Sequence, residues 1–175
     1  MSNSFRTTNS TGLINKDKKI NFTFNGTIYH GYEGDTLASA LIANGVHLVG
    51  RSFKYHRPRG FLGVGVEEPN AMVQLHDGNK SEPNIIATEV ELVEGLKAKS
   101  QNCWPSVQFD IGEINNVLNR FFPAGFYYKT FMWPKSFWMK IYEPFIRKAA
   151  GMGKAPLLPD PDRYEHNYEH CDVLV

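Results

Sequence analysis

Residues 20–45, INFTFNGTIYHGYEGDTLASALIANG, decide the fold. Ile20, Phe22 and Phe24 alternate with polar residues, the period of a strand with one buried face. Asn25-Gly26 is the strongest short hairpin signal, since the tight turn needs positive φ at both positions. Ile28 and Tyr32 resume the pattern beyond it. Asp35 or Thr36 then serves as helix N-cap. Leu37, Ala38, Leu41 and Ile42 share one face, and Gly45 sits just past the end. The predicted order is strand, strand, helix.

Next comes Gly50 to Val73, GRSFKYHRPRGFLGVGVEEPNAMV, read as mostly loop. Arg51, Lys54, His56, Arg57 and Arg59 interleave with Phe53 and Tyr55, and Gly60, Gly63 and Gly65 lead to Glu67-Glu68. Glycines at this density let backbone pass close to something, and basic side chains beside them suit an anion. Arg51, Lys54, Arg57 and Arg59 are therefore the candidate cofactor-phosphate or subunit contacts. The plainer alternative is a solvated loop, or ion pairing with Glu67 and Glu68. His56 reads as a loop hydrogen-bonder. No catalytic constellation is visible.

Ala71–His76 and Asn84–Val93 read as further strands, which makes residues 20–100 a small mixed sheet crossed by one helix. Asp110 and Glu113 have capping-box spacing ahead of a helix over 111–121. An aromatic segment, Phe126–Trp133, follows. A second helix over 136–150 is expected in two pieces because of Pro144. Residues 101–162 thus form a helical, aromatic-rich extension and linker, and residues 1–19, rich in Ser, Thr and Asn, a disordered arm. Cys171-Asp-Val-Leu-Val175 has the composition of a buried parallel strand, either the first of a dinucleotide-binding domain starting at 163 or an ordinary edge strand.

The net charge of +1 offers no electrostatic footprint for nucleic acid. No apolar run approaches the roughly 20 residues that span a bilayer, and the polar first 19 residues lack a signal-peptide core, so a cytoplasmic protein is expected. Cys103 and Cys171 lack metal-ligand spacing and read as two thiols. His166 and His170, four apart, have no evident third ligand, and no metal is expected there.

GRSFKYHRPRG, GVGVEEPNAMV, ATEVELVEGLKAKSQNCWPS, PAGFYYKTFMWP and YEPFIRKAAGMG, in this order, resemble the N-terminal region of the alpha subunit of heterotetrameric sarcosine oxidase, over about 22–175. The resemblance implies an α+β, β-grasp, ferredoxin-like module that has lost its cluster cysteines. Related enzymes carry a [2Fe–2S] centre in this module, held by thiolates at C-x4-C-x2-C. That spacing falls here on Leu62, Glu67 and Asn70, so no iron–sulfur cluster is expected. The resemblance further implies FAD, FMN and NAD in the whole assembly, none of them in this segment. It implies beta, gamma and delta subunits as partners, and an N-methyl amino acid and tetrahydrofolate as small molecules. The expected reaction is oxidation of sarcosine to glycine, with hydrogen peroxide and formaldehyde or methylene-tetrahydrofolate. This segment would be structural, with no catalytic residue. The alternative is a stand-alone cluster-free β-grasp module that binds a protein partner.

Overall fold

A computed structural model describes residues 5–7, 12–121, 125, 133–149, 153, 155–163, 165–168 and 170–173. β1 (Asn15–Phe24) and β2 (Thr27–Glu33) form the expected hairpin, with Asn25 at φ 50° and Gly26 at φ 80° in the turn. Ile20, Phe22 and Phe24 point inward. Ile28 does not: it lies opposite Thr23 and shares that residue's outward face. α1 (Leu37–Ala43) starts at Thr36, whose hydroxyl accepts from Ser39 N while Ser39 Oγ accepts from Thr36 N. Leu37, Ala38, Ala40 and Leu41 bury its inner face.

β3 (Gly50–Arg51) and β4 (Pro58–Arg59) make a separate two-stranded ribbon. β5 (Met72–Leu75), β6 (Glu82–Ile86) and β7 (Lys97–Ser100) join the hairpin in one sheet, in the order β2-β1-β7-β5-β6. β1 and β7 run parallel and the other neighbours antiparallel, so the sheet is mixed. One helix crosses it, the arrangement expected from the hairpin and helix signals.

Two readings need correction. The strand expected over 84–93 stops at Ile86. Its apolar residues are buried all the same: Ala87, Val90 and Leu92 pack over the helix. Val90 O and Ala87 O accept from Leu37 N and Ala38 N, two helix-start donors that lack intrahelical partners. The central parallel strand is instead β7, KAKS, where only Ala98 is buried and Lys97 and Lys99 face Asp77 at 3.8 and 3.6 Å.

The disordered-arm expectation fails where residues are described. β1 begins at Asn15, and Phe5 to Thr7 lie against the domain. Phe5 N donates to Ala43 O at 3.0 Å, and Arg6 places two donors on the buried Asp35 carboxylate at 3.1 and 2.7 Å, above the Tyr32 ring. Asp35 also accepts from Tyr32 N and Ser39 Oγ.

Beyond β7 the chain is irregular. The helix expected over 111–121 is a 3-10 turn at Ile111–Glu113, α2 (Ile114–Val117) and a second 3-10 turn at Asn119–Phe121. The later helix breaks as Pro144 requires: a π-turn over Trp138–Tyr142 gives way to α3 (Glu143–Ala149), with Pro144 in its first turn, where a missing N–H is harmless. Most of the aromatic segment Phe126–Trp133 lies outside the described residues. Residues 171–173 are exposed and join no ladder among the described residues, since a strand of that composition needs neighbours to cover it.

Arg6→Ala would strand the buried Asp35 carboxylate, and a loss of about 3 kcal/mol is expected in denaturant unfolding. A loss below about 0.5 kcal/mol would mean that the arm contributes nothing to stability.

Candidate functional site

The basic residues do not form one surface. Arg51 is turned inward from β3 and buried. Its Nε donates to Val107 O at 2.8 Å, Nη1 to His56 O at 3.0 Å and Nη2 to Gln108 O at 3.1 Å, and Nη1 meets Glu113 Oε2 at 3.2 Å. A buried guanidinium has to satisfy its donors, and the carbonyls of His56, Val107 and Gln108 do so here. This corrects the grouping of Arg51 with the surface cations. Glu113 is likewise drawn to Arg51, while Asp110 alone caps the 3-10 turn through Gly112 N.

Lys54 and Arg57 are brought together. Their charged ends lie 4.9 and 4.8 Å from the centre of the Tyr55 ring, and Arg57 Nε also donates to Asn116 Oδ1 at 2.9 Å. Arg59 is exposed on β4. Behind them His56 Nδ1 lies 2.6 Å from Asp110 Oδ2, a buried pair that fastens the ribbon to the following loop. Cys103 lies nearby; burial first, and then the Asp110 charge, push its thiol above the ordinary value, so it stays protonated.

The glycine-rich loop is organised from within. Glu68 is only 2% exposed, and its carboxylate collects four backbone donors. Oε2 accepts from Leu62 N at 2.6 Å and Gly63 N at 2.5 Å, and Oε1 from Asn70 N at 2.7 Å and Ala71 N at 3.3 Å. Glu67 Oε1 accepts from Val64 N at 2.9 Å and Gly65 N at 3.1 Å. A Cβ at Gly63 or Gly65 would stand 2.8 or 2.9 Å from a Glu67 oxygen, so the exposed Glu67 side chain would have to shift if either glycine carried one. Neither glutamate pairs with the basic ribbon among the described residues. Burial pushes the Glu68 carboxyl up, but the N–H bonds from Gly63, Leu62, Asn70 and Ala71 outweigh it and hold the group below its ordinary value of 4.5. Each such bond to a charged acceptor contributes about 1.5–3 kcal/mol. The sequence signal is the Glu67-Glu68 pair that follows the glycines, whose partners are backbone amides rather than the arginines expected.

Plant-type [2Fe–2S] centres need four thiolates. Residues 17–102 contain no cysteine. Of Leu62, Glu67 and Asn70, Leu62 points outward, Asn70 gives its N–H to Glu68, and Glu67 accepts from Val64 N and Gly65 N. The donor set does not fit a cluster. Among the described residues no group of three or more His, Cys, Asp or Glu side chains is placed to hold a metal, and no helix is long and apolar enough to cross a membrane.

A family model described as a 2Fe-2S iron-sulfur cluster binding domain matches residues 17–103. Sarcosine oxidase subunit alpha of Rhizobium meliloti (strain 1021) is 60% identical over 164 residues, 94% of this chain and 17% of that protein. The same-named subunit of Corynebacterium sp. (strain U-96) is 40% identical over 88 residues, 49% of this chain and 9% of that protein. Among solved structures, L-proline dehydrogenase from P. horikoshii matches 48% of this chain and 16% of its own at 26% identity, with a TM-score of 0.37. The chain thus spans about one sixth of the length of its Rhizobium meliloti relative. Over that span it is similar to sarcosine oxidase alpha subunits.

Proposed function

We propose that this chain is the N-terminal part of the alpha subunit of a heterotetrameric, flavin-dependent sarcosine oxidase of the cytoplasm. The observation that carries this reading is the 60% identity over 94% of the chain. The assembly oxidises sarcosine to glycine, and electrons pass through flavin to oxygen to give hydrogen peroxide. The one-carbon unit leaves as formaldehyde or on tetrahydrofolate. FAD, FMN and NAD belong to the assembly, and beta, gamma and delta subunits complete it.

Within it, residues 20–100 act as a cluster-free β-grasp module, 101–162 as an extension, and 163–175 as the start of the dinucleotide-binding domain. The segment supplies no catalytic residue. Its role is to organise the subunit. Exposed Trp133, Met139 and Phe145 in the extension support cover by another domain or subunit. Lys54, Arg57 and Arg59 form the contact to a cofactor phosphate or a neighbouring subunit, and Arg51 supports them through the fold.

Two experiments test this. The native protein, isolated from its source cells, is expected as a much larger yellow polypeptide with three other chains that consumes oxygen with sarcosine. A colourless native chain of 19.9 kDa, alone, would replace the oxidase reading with the stand-alone binding module. In the assembled enzyme, the combined variant Lys54→Ala, Arg57→Ala, Arg59→Ala should weaken retention of flavin or of another subunit roughly tenfold while changing stability by less than about 0.5 kcal/mol. Arg51→Ala should do the reverse and cost about 3 kcal/mol in unfolding. Full retention of flavin and subunits in the combined variant would remove the surface cations from the account.

A further inference from the structure

The glycine-rich loop poses a question that subunit organisation alone does not answer. Six backbone N–H groups, of Leu62, Gly63, Val64, Gly65, Asn70 and Ala71, are turned onto two adjacent carboxylates. Loops with successive N–H groups turned to one point are anion receptors. A loop of this kind around an iron–sulfur centre presents its N–H groups to an anionic cluster, whose sulfurs accept hydrogen bonds. In this chain the anion is part of the polypeptide.

We propose that the 61–71 loop is an anion-binding nest whose ligand is the chain's own Glu68 carboxylate, standing in for the anionic cluster that the domain family binds. This rests on the cluster-free reading above and adds the identity of what replaced the cluster. Three observations carry it. Glu68 is buried with both oxygens occupied by backbone donors, and it makes no ion pair among the described residues. Two of its four donors, Leu62 N and Asn70 N, belong to positions on which the C-x4-C-x2-C spacing falls in this sequence. Apolar packing holds the loop only at its ends: Phe61 lies against the core and Ala71 is buried in it, whereas Leu62, Val64 and Val66 between them are 77%, 92% and 75% exposed.

An apolar core orders a loop through its side chains. Between Phe61 and Ala71 the apolar side chains face out, and the order comes from backbone donors closing on one carboxylate. Thr88 Oγ1 adds one tie, donating to Gly65 O at 2.8 Å. Glu67 repeats the device at the exposed tip, where water competes for the same donors. Glu68 is therefore a positioning residue, and its carboxylate orders the loop without iron.

The test is amide hydrogen exchange in the full-length protein. In wild type, Leu62, Gly63, Asn70 and Ala71 should be protected, and unprotected exchange at all four would overturn the proposal without any variant. Glu68→Gln should raise exchange at these amides by about tenfold or more, because a carboxamide offers one acceptor and a mismatched donor. Thr23 and His76, bonded within the sheet, serve as controls. In Glu68→Ala, added acetate should restore protection by refilling the nest, whereas acetate without effect would show that no anion receptor exists. Iron and acid-labile sulfide assays after reconstitution of wild type separate the two claims. Stoichiometric iron and sulfide would sink the cluster-free reading whatever the amides do. Unprotected amides with no bound iron would sink only the role of Glu68.

Discussion

A charged group taken out of water must be met by partners, or it destabilises the fold by several kcal/mol. This chain buries Asp35, Arg51, His56, Glu68 and Asp110, and each is met. Each also fastens a piece of irregular backbone to a sheet too small to hold it by apolar contact. Asp35 holds the N-terminal arm through Arg6 and the helix start through Ser39. Arg51 and the His56–Asp110 pair hold the ribbon to the 107–113 loop. Glu68 holds the glycine loop. The apolar core, with Phe22, Leu37, Leu41 and Val73 at its centre, fixes the frame of mixed sheet and helix. The buried charges fix what hangs from it.

This division explains what the sequence disclosed. The hairpin was legible because Asn25-Gly26 has a single favourable backbone solution, and the helix because its cap and apolar face coincide. β7 was hidden because a strand with one solvated face and a single alanine inward carries little apolar signal, although it lies between β1 and β5. Residues 87–92 misled in the opposite sense: their apolar alternation was real, but it served burial over α1 rather than a ladder. Alternation reports which side chains are covered. It does not report where the backbone bonds go.

The candidate site was half legible for the same reason. Residue type marked the basic stretch, but no spacing rule separates Arg51, spent on carbonyls, from Lys54 and Arg57, stacked on Tyr55. The lack of cysteine over residues 17–102 is plain in the sequence. The partners of Glu68 are not, because a glutamate beside arginines suggests an ion pair, whereas Glu68 turns to backbone amides of its own loop. The outcome is a domain matched by a 2Fe-2S family model, with a glutamate carboxylate held inside its glycine-rich loop.

The central claim is that Glu68 sits ionised among four amide donors. The most direct measurement is the titration of its side-chain carboxyl by carbon-13 NMR, with the resonance assigned by its loss in Glu68→Gln. The account predicts a midpoint below the ordinary 4.5. Loop order is then fully present above that pH and lost as the pH falls through the lower, folded value. A midpoint at or above 4.5 would show that burial outweighs the amides, and the carboxylate would not be the anion that holds the loop.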